Sequence, residues 1–163
     1  MSAVPREERW LRPMQAGGLD AVLAIENAAY EFPWSRGNFI DSLAAGYWAQ
    51  WLVGSSSQLL GYVIAMHGVH EMHLLNLTVA PAHEHVGHAR CMLDALVDRA
   101  GQQDAKQLWL EVRISNQRGR ALYRRYGFHD VGVRKGYYPA ARDQREDAVV
   151  MSLPIDGGVR ALD

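Results

Sequence analysis

A glutamate near the end of an apolar run and a tyrosine on the next helix are the two side chains best spaced for proton chemistry. Both lie in Leu108–Phe128, LWLEVRISNQRGRALYRRYGF. Leu108, Trp109, Leu110, Glu111 and Val112 form a short run with β propensity. Asn116 is a good helix N-cap, and Gly127 supplies a stop after Tyr126. On that helix Asn116, Arg120 and Tyr123 recur at i, i+4 and i+7, so an amide and a phenol share one face. A strand-end carboxylate followed by a helical phenol forms a plausible acid/base constellation. The same residues also read as a buried-strand Glu and an ordinary core Tyr.

A second candidate is the loop His83-Glu84-His85-Val86-Gly87-His88-Ala89-Arg90, which precedes the clearest helix in the chain. There Ala89, Met92, Leu93, Leu96, Val97 and Ala100 make one apolar stripe, and Gly101 is expected to cap its end. A glycine-containing turn at a helix N-terminus offers backbone N–H groups and the positive end of the dipole, a natural seat for phosphate. On its own, one Gly at a helix start is usually just a turn.

The elements that position these residues follow from periodicity. Val22, Leu23, Ile25 and Ala29 give helical spacing over Asp20–Tyr30; Pro33 ends that helix, and Ser35 caps a second one reaching about Ala45. Trp48–Val53 and Leu59–Met66 read as strands around the turn-like GSSSQ, and Met72–Val79 as another, stopped by Pro81. Further strands are expected near Phe128–Val133 and Asp147–Leu153. Hairpin strands followed by strand–helix–strand–helix–strand imply a mixed sheet with helices packed on it, an α/β or α+β sandwich. No repeat or linker divides the 163 residues, which suit a single domain over 1–163, with a core from about 10 to 153 and a frayed tail over 154–163.

Composition narrows the function classes. The chain is 48% hydrophobic and 21% charged, as in an ordinary soluble globular protein. Its net charge of −1 argues against general nucleic-acid binding through a basic surface. One cysteine, Cys91, excludes an internal disulfide framework and sits off the apolar stripe as a bystander. No apolar run is long enough to span a bilayer, and MSAVPREERWLRPM has no signal-peptide core, so the expected location is cytoplasmic. Six of the seven histidines lie between His67 and His88, but no zinc spacing completes them. His67, His70 and His73 would alternate faces of a strand, and no metal is expected.

Together the motifs resemble a known family. LWLEVR, SN, ALY and GF, in that order, resemble the second half of the acetyl-coenzyme A core of the GNAT acetyltransferases. More narrowly, they resemble the bacterial ribosomal-protein-alanine N-acetyltransferases of RimI type. LRPM with Asp20 and Ile25-Glu26 is similar to that family's first strand and helix, and FPWS at Phe32–Ser35 to its acceptor-side loop. GYYP at Gly136–Pro139 and REDAVVMSL at Arg145–Leu153 are similar to its last two strands, so the resemblance covers about Leu11–Leu153. It implies a mixed, mostly antiparallel central sheet of about six or seven strands, flanked by about four helices, with a splayed, V-shaped cofactor cleft.

The resemblance also implies acetyl-CoA as cosubstrate and assigns residues to it. Leu77, Thr78 and Val79 would meet the pantetheine arm through main chain, and Asn116 would hydrogen-bond it. His85, Val86, Gly87, His88, Ala89 and Arg90 would hold the diphosphate. The family's pattern there is Gln/Arg-x-x-Gly-x-Gly/Ala; Gly87 and Ala89 match it, Glu84 departs from it, and Arg90 supplies compensating charge. Glu111 would be the general base, directly or through water, and Tyr123 the general acid toward the departing thiolate. Trp34, Tyr137 and Tyr138 would line the acceptor groove, with Lys135-Gly136 standing where Arg-Asn is usual.

The implied reaction is acetyl transfer to the N-terminal alanine amine of a small-subunit ribosomal protein. It would be direct, in a ternary complex, because no Cys or Ser is placed as a nucleophile. An α-amine near pKa ~8 is roughly 10% neutral at pH 7, so its deprotonation costs about 1.4 kcal/mol; a lysine near ~10.4 would cost about 4.6 kcal/mol. The expected partners are acetyl-CoA and that N-terminal peptide, with no membrane or direct nucleic-acid contact and a monomeric state. One rival is the same fold acting on a small-molecule amine or a protein lysine. Another is a non-catalytic acyl-CoA-binding or protein-interaction module, which absence of Glu111 or Tyr123 would favour; both residues are present.

Overall fold

The structure, a computed structural model, describes residues 8–84 and 86–156. Its strands are β1 (Arg9–Pro13), β2 (Trp48–Gly54), β3 (Leu59–Gly68), β4 (Glu71–Val79), β5 (Gln107–Arg113), β6 (His129–Pro139) and β7 (Arg145–Pro154). Its α-helices are α1 (Leu19–Ala29), α2 (Arg36–Ala44), α3 (His88–Gln102) and α4 (Gln117–Tyr126). The strands hydrogen-bond in the order β1-β2-β3-β4-β5-β7-β6. Pairing is antiparallel for β1 with β2, β5 with β7 and β6 with β7, and parallel for β4 with β5. Seven strands, mostly antiparallel, and four α-helices among the described residues agree with the expected mixed sheet.

Contacts group the chain into two compact units. Among the described residues, one comprises those up to Ile64 together with Asn76–Met92, and the other comprises Ala65–Leu75 and those from Leu93 to Asp156. The first is built on fully buried Leu19, Val22, Phe39, Leu52, Leu60 and Tyr62, with Phe39 edge-on to Tyr62 at 5.8 Å. The second buries Met72, Leu93, Leu96, Leu108, Phe128 and Met151.

Local signals account for most boundaries. Ser35 caps α2 as expected: its Oγ accepts from the Asn38 N–H at 3.2 Å, and Asn38 Oδ1 accepts from the Ser35 N–H at 2.9 Å. Asn116 Oδ1 accepts from the Gly119 N–H at 3.0 Å, and Gly127 closes α4 at φ 129°.

Four expectations need correction. Gly101 does not cap α3 but lies inside it; the chain leaves the helix at Asp104, with φ 57°, and the Ala105 N–H reaches back to Ala100 O at 3.0 Å. His67, His70 and His73 do not share a strand, since His70 turns the chain between β3 and β4 at φ 57°. The tail is ordered further than periodicity suggests. Pro154 pairs with Gln107, and Ile155 is 6% exposed and donates its N–H to Lys106 O at 2.8 Å; residues 157–163 lie outside the described residues. Finally, the buried face of α1 is Leu19, Val22 and Glu26, so a carboxylate occupies a place the apolar spacing assigned to no polar group.

Candidate active site

In the second unit the parallel register of β4 and β5 runs from Glu71↔Gln107 to Leu74↔Leu110 and sets His73 opposite Trp109. Their rings stack at 3.7 Å, only 8° from parallel. Glu111 is two residues past Trp109 and therefore on the same face of β5. Its side chain is 5% exposed, and Oε2 lies 2.5 Å from His73 Nε2. Oε1 stands 3.6 Å from the Nη1 of Arg134, a half-exposed cation on β6. Arg134 also lies over Trp109 at 5.6 Å and over Tyr137 at 5.4 Å. Glu111 is thus a strand-end carboxylate enclosed by an imidazole, a guanidinium and aromatic faces.

The aromatics are aimed by a bulge. Between Arg134↔Ala148 and Tyr138↔Glu146, β6 takes two more residues than β7. Gly136 turns there at φ 60°, in the left-handed region that favours glycine. Asp147 Oδ1 takes the Gly136 N–H at 2.8 Å, while Arg145 donates to Gly136 O at 2.9 Å and Tyr137 O at 3.0 Å. Tyr137 and Tyr138 then stand edge to face at 4.8 Å, with Arg113 over Tyr138 at 4.4 Å. Burial first, and then the negative charge of Glu111, push both hydroxyls above the ordinary tyrosine range. Both therefore remain protonated at neutral pH, suited to donate a hydrogen bond rather than to take a proton.

Tyr123 is half-buried on α4, with its ring edge-on to Phe128 at 5.6 Å. Asn116 serves as the cap of that helix, so one of its polar atoms is already engaged.

In the first unit Glu26, 2% exposed, gathers a network of donors. Oε1 accepts from Tyr62 Oη at 2.7 Å and from Asn76 Nδ2 at 3.0 Å; Oε2 accepts from the Trp34 N–H at 2.9 Å. Thr78 Oγ1 donates to Asn76 Oδ1 at 2.7 Å and meets Tyr30 Oη at 2.7 Å. Burial, followed by the charge of Glu26, raises the Tyr62 hydroxyl, which keeps it a donor. Burial likewise pushes the Tyr30 hydroxyl up to about 12; the bond with Thr78 pulls it down and the charge of Glu26 adds to the rise. The network joins the FPWS segment, where the Trp34 ring packs on Phe39 at 5.2 Å, to the β4 residues Asn76 and Thr78. Thr78 is buried and Leu77 O accepts from Tyr30 at 3.3 Å, so these β4 residues already hold part of the protein together.

The loop before α3 is shaped by Gly87, at φ 82°, where nothing but the Arg9 guanidinium at 3.9 Å faces the missing Cβ. Arg9 donates to Val86 O at 3.1 Å and to His88 Nδ1 at 2.9 Å. The His88 side chain is buried in the fold, whereas Arg90 is exposed and Ala89 half-buried. His85 lies outside the described residues. A tight left-handed turn opening a helix of 15 residues fits an anion seat. Gly87→Val is expected to weaken acetyl-CoA binding at least tenfold, about 1.4 kcal/mol, because a β-branched residue is strained at positive φ. Calorimetric titration checks this; unchanged affinity in a folded variant would reduce the loop to a helix start.

Sequence reasoning missed His73, Arg134 and Glu26. The one available signal was Glu26 falling four residues after Val22 on the core stripe. Among the described residues no three His, Cys, Asp or Glu side chains gather as a metal site, and no helix is long and apolar enough to cross a membrane.

The comparisons with known proteins agree with this architecture. The sequence profile of the acetyltransferase (GNAT) family matches residues 19–128. The [ribosomal protein bS18]-alanine N-acetyltransferase of Escherichia coli K12 is 34% identical over 142 residues, covering 87% of this chain and 95% of that protein. The protein of the same name from Haemophilus ducreyi is 36% identical over 129 residues, covering 79% of this chain and 88% of its own. The crystal structure of the E. coli ribosomal-protein-S18-alanine N-acetyltransferase superposes with a TM-score of 0.82 at 32% identity, covering 96% of this chain and 99% of that one. The chain belongs to the GNAT acetyltransferase family, and its enzyme class is that of an acetyl-CoA-dependent N-acetyltransferase.

Proposed function

We propose that this protein is an Nα-acetyltransferase that moves the acetyl group of acetyl-CoA to the N-terminal alanine of a small-subunit ribosomal protein. On this reading residues 1–163 are one acetyltransferase domain, acting as a monomer in the cytoplasm. The observation that supports it most is the Glu111 carboxylate, 5% exposed at the end of β5, with Tyr137 and Tyr138 in its field. Glu111 takes a proton from the acceptor ammonium. The freed nitrogen attacks the thioester carbonyl, the C–N bond forms, the C–S bond breaks, Tyr123 gives its proton to the thiolate, and the second proton shed by the acylated nitrogen restores the phenol. Leu77, Thr78 and Val79 present main chain to the pantetheine arm, Asn116 assists there, and the loop through Val86, Gly87, His88, Ala89 and Arg90 takes the diphosphate.

Trp34, Tyr137 and Tyr138 are proposed to contact the acceptor's first residues. A large first side chain must displace packed aromatics, at about 1–3 kcal/mol. Peptides beginning with Ala or Ser are therefore expected to exceed those beginning with Leu or Phe by roughly ten- to hundredfold in kcat/KM. Internal lysines should react poorly, since their ammonium near pKa ~10.4 is harder to deprotonate. Peptides that differ only at position one and carry an internal lysine, with the acetyl group mapped by fragmentation, make the test. Equal rates, or acetylation mainly on lysine, would move the assignment to a lysine or small-amine acceptor.

A further inference from the structure

We propose that His73 is a positioning residue for acetyl transfer: it holds Oε2 of Glu111 so that Oε1 is the atom that receives the acceptor's proton. This rests on Glu111 being the base. The geometry distinguishes the two carboxylate oxygens. Oε2 is 2.5 Å from His73 Nε2, whereas among the described residues no group hydrogen-bonds Oε1, although it is buried. An ionised Oε2 is only an acceptor, so Nε2 carries the proton and donates. Trp109 fixes the imidazole plane by stacking on it at 3.7 Å, and the His73 side chain is 10% exposed, so the ring has little freedom to turn away. A buried oxygen without a hydrogen-bond donor is costly in a resting protein. Here the nearest cation is the Arg134 guanidinium, 3.6 Å from Oε1 on a half-exposed side chain, in the place an incoming ammonium would take.

The proton balance is simple. The acceptor ammonium loses one proton to Oε1 while Nε2–H stays on Oε2, and Glu111 later releases that proton to solvent; as the amide forms the nitrogen sheds a second proton, which replaces the one Tyr123 gives to the coenzyme A thiolate. The other titratable groups around the pair are Arg134, Tyr137 and Tyr138 on β6, with Arg113 on β5 and Glu146 on β7 beyond Tyr138. The tyrosines stay protonated at neutral pH, so neither competes with Glu111 for the acceptor's proton.

The test measures thiol release from acetyl-CoA with an Ala-first peptide across pH for wild type, His73→Val, His73→Gln and Glu111→Gln, with melting temperature and calorimetric acetyl-CoA affinity for each. His73→Val removes the donor to the ionised carboxylate. It should lower kcat about ten- to hundredfold, leave acetyl-CoA affinity unchanged, and move the acid limb to higher pH. His73→Gln restores an N–H donor and should recover most of kcat and return the acid limb toward its wild-type position. If His73→Gln alone folds, a kcat kept within a few-fold of wild type upholds the inference and a large loss at unchanged acetyl-CoA affinity overturns it. Loss spread evenly over pH with no recovery in His73→Gln, or a fall in acetyl-CoA affinity with kcat kept, would make His73 a packing residue and overturn the inference. If Glu111→Gln is inactive while the His73 variants match wild type, the base stands and the inference falls. A Glu111→Gln enzyme as fast as wild type would remove both.

Discussion

Glu111→Gln is expected to lower kcat/KM by about 10²–10⁴-fold at pH 7, the range over which a positioned general base contributes. The substitution keeps the shape of the side chain and removes only its basicity. Part of the loss should return as pH rises through ~8, where the acceptor α-amine sheds its proton to solvent unaided. Tyr123→Phe removes the proton donor to the thiolate instead, so raising pH should not rescue it. Acetyl-CoA affinity should be nearly unchanged in both, because neither side chain is assigned to hold the cosubstrate. A second readout follows from the field of Glu111. Its charge contributes to the raised Tyr137 and Tyr138 hydroxyls, so neutralising it should lower both titrations toward the ordinary range without reaching it, burial being the larger cause. Ultraviolet titration of the tyrosines measures that shift. Wild-type turnover at pH 7 in both variants would leave Glu111 and Tyr123 as structural residues.

Glu26→Leu should produce a large loss of stability in the first unit. The leucine keeps the volume but leaves the Tyr62 hydroxyl, the Asn76 amide and the Trp34 N–H without the acceptor they now share. Each orphaned buried donor costs about 1–3 kcal/mol, so a total of about 3–5 kcal/mol is expected after partial relaxation. Set against a typical unfolding free energy of about 5–15 kcal/mol, that is a large fraction of the whole. It corresponds to a fall in Tm of roughly 10–15 °C for a chain of this size. Glu26→Gln should cost less, since one oxygen still accepts from Tyr62 and Asn76 while its NH₂ faces the Trp34 N–H donor to donor. Urea unfolding of the two variants checks the order. Equal, near-zero losses would mean that water satisfies these groups in place of the carboxylate.

The extent to which the sequence was legible differs between elements and site. The 3.6-residue stripe of α3, the Ser35 and Asn116 caps and the Gly127 stop are local. Each depends on a few consecutive residues and their backbone groups, so each was readable before any packing was known. Glu111 was singled out as a candidate from its place in a short apolar run, and Tyr137 and Tyr138 only through the resemblance that GYYP carries. The tip of β6 was read short, at Val133, because a bulge breaks the period-two alternation on which strand reading depends; the strand continues to Pro139. α1 was read as an apolar stripe without Glu26, because periodicity sorts residues by polarity and has no knowledge of donors arriving from β3 and β4.

What tertiary structure alone decided is the partner of the candidate base. His73 and Glu111 are 38 residues apart, and in the sequence His73 belonged to a histidine-rich stretch with nothing to single it out. The parallel register that sets His73 opposite Trp109 turns both rings and the Glu111 carboxylate to one face. A slip of one residue would send them to opposite faces. Local spacing determined where a carboxylate and a phenol stand along the chain; strand register, set by burial of whole faces, determined which imidazole and which guanidinium the carboxylate meets.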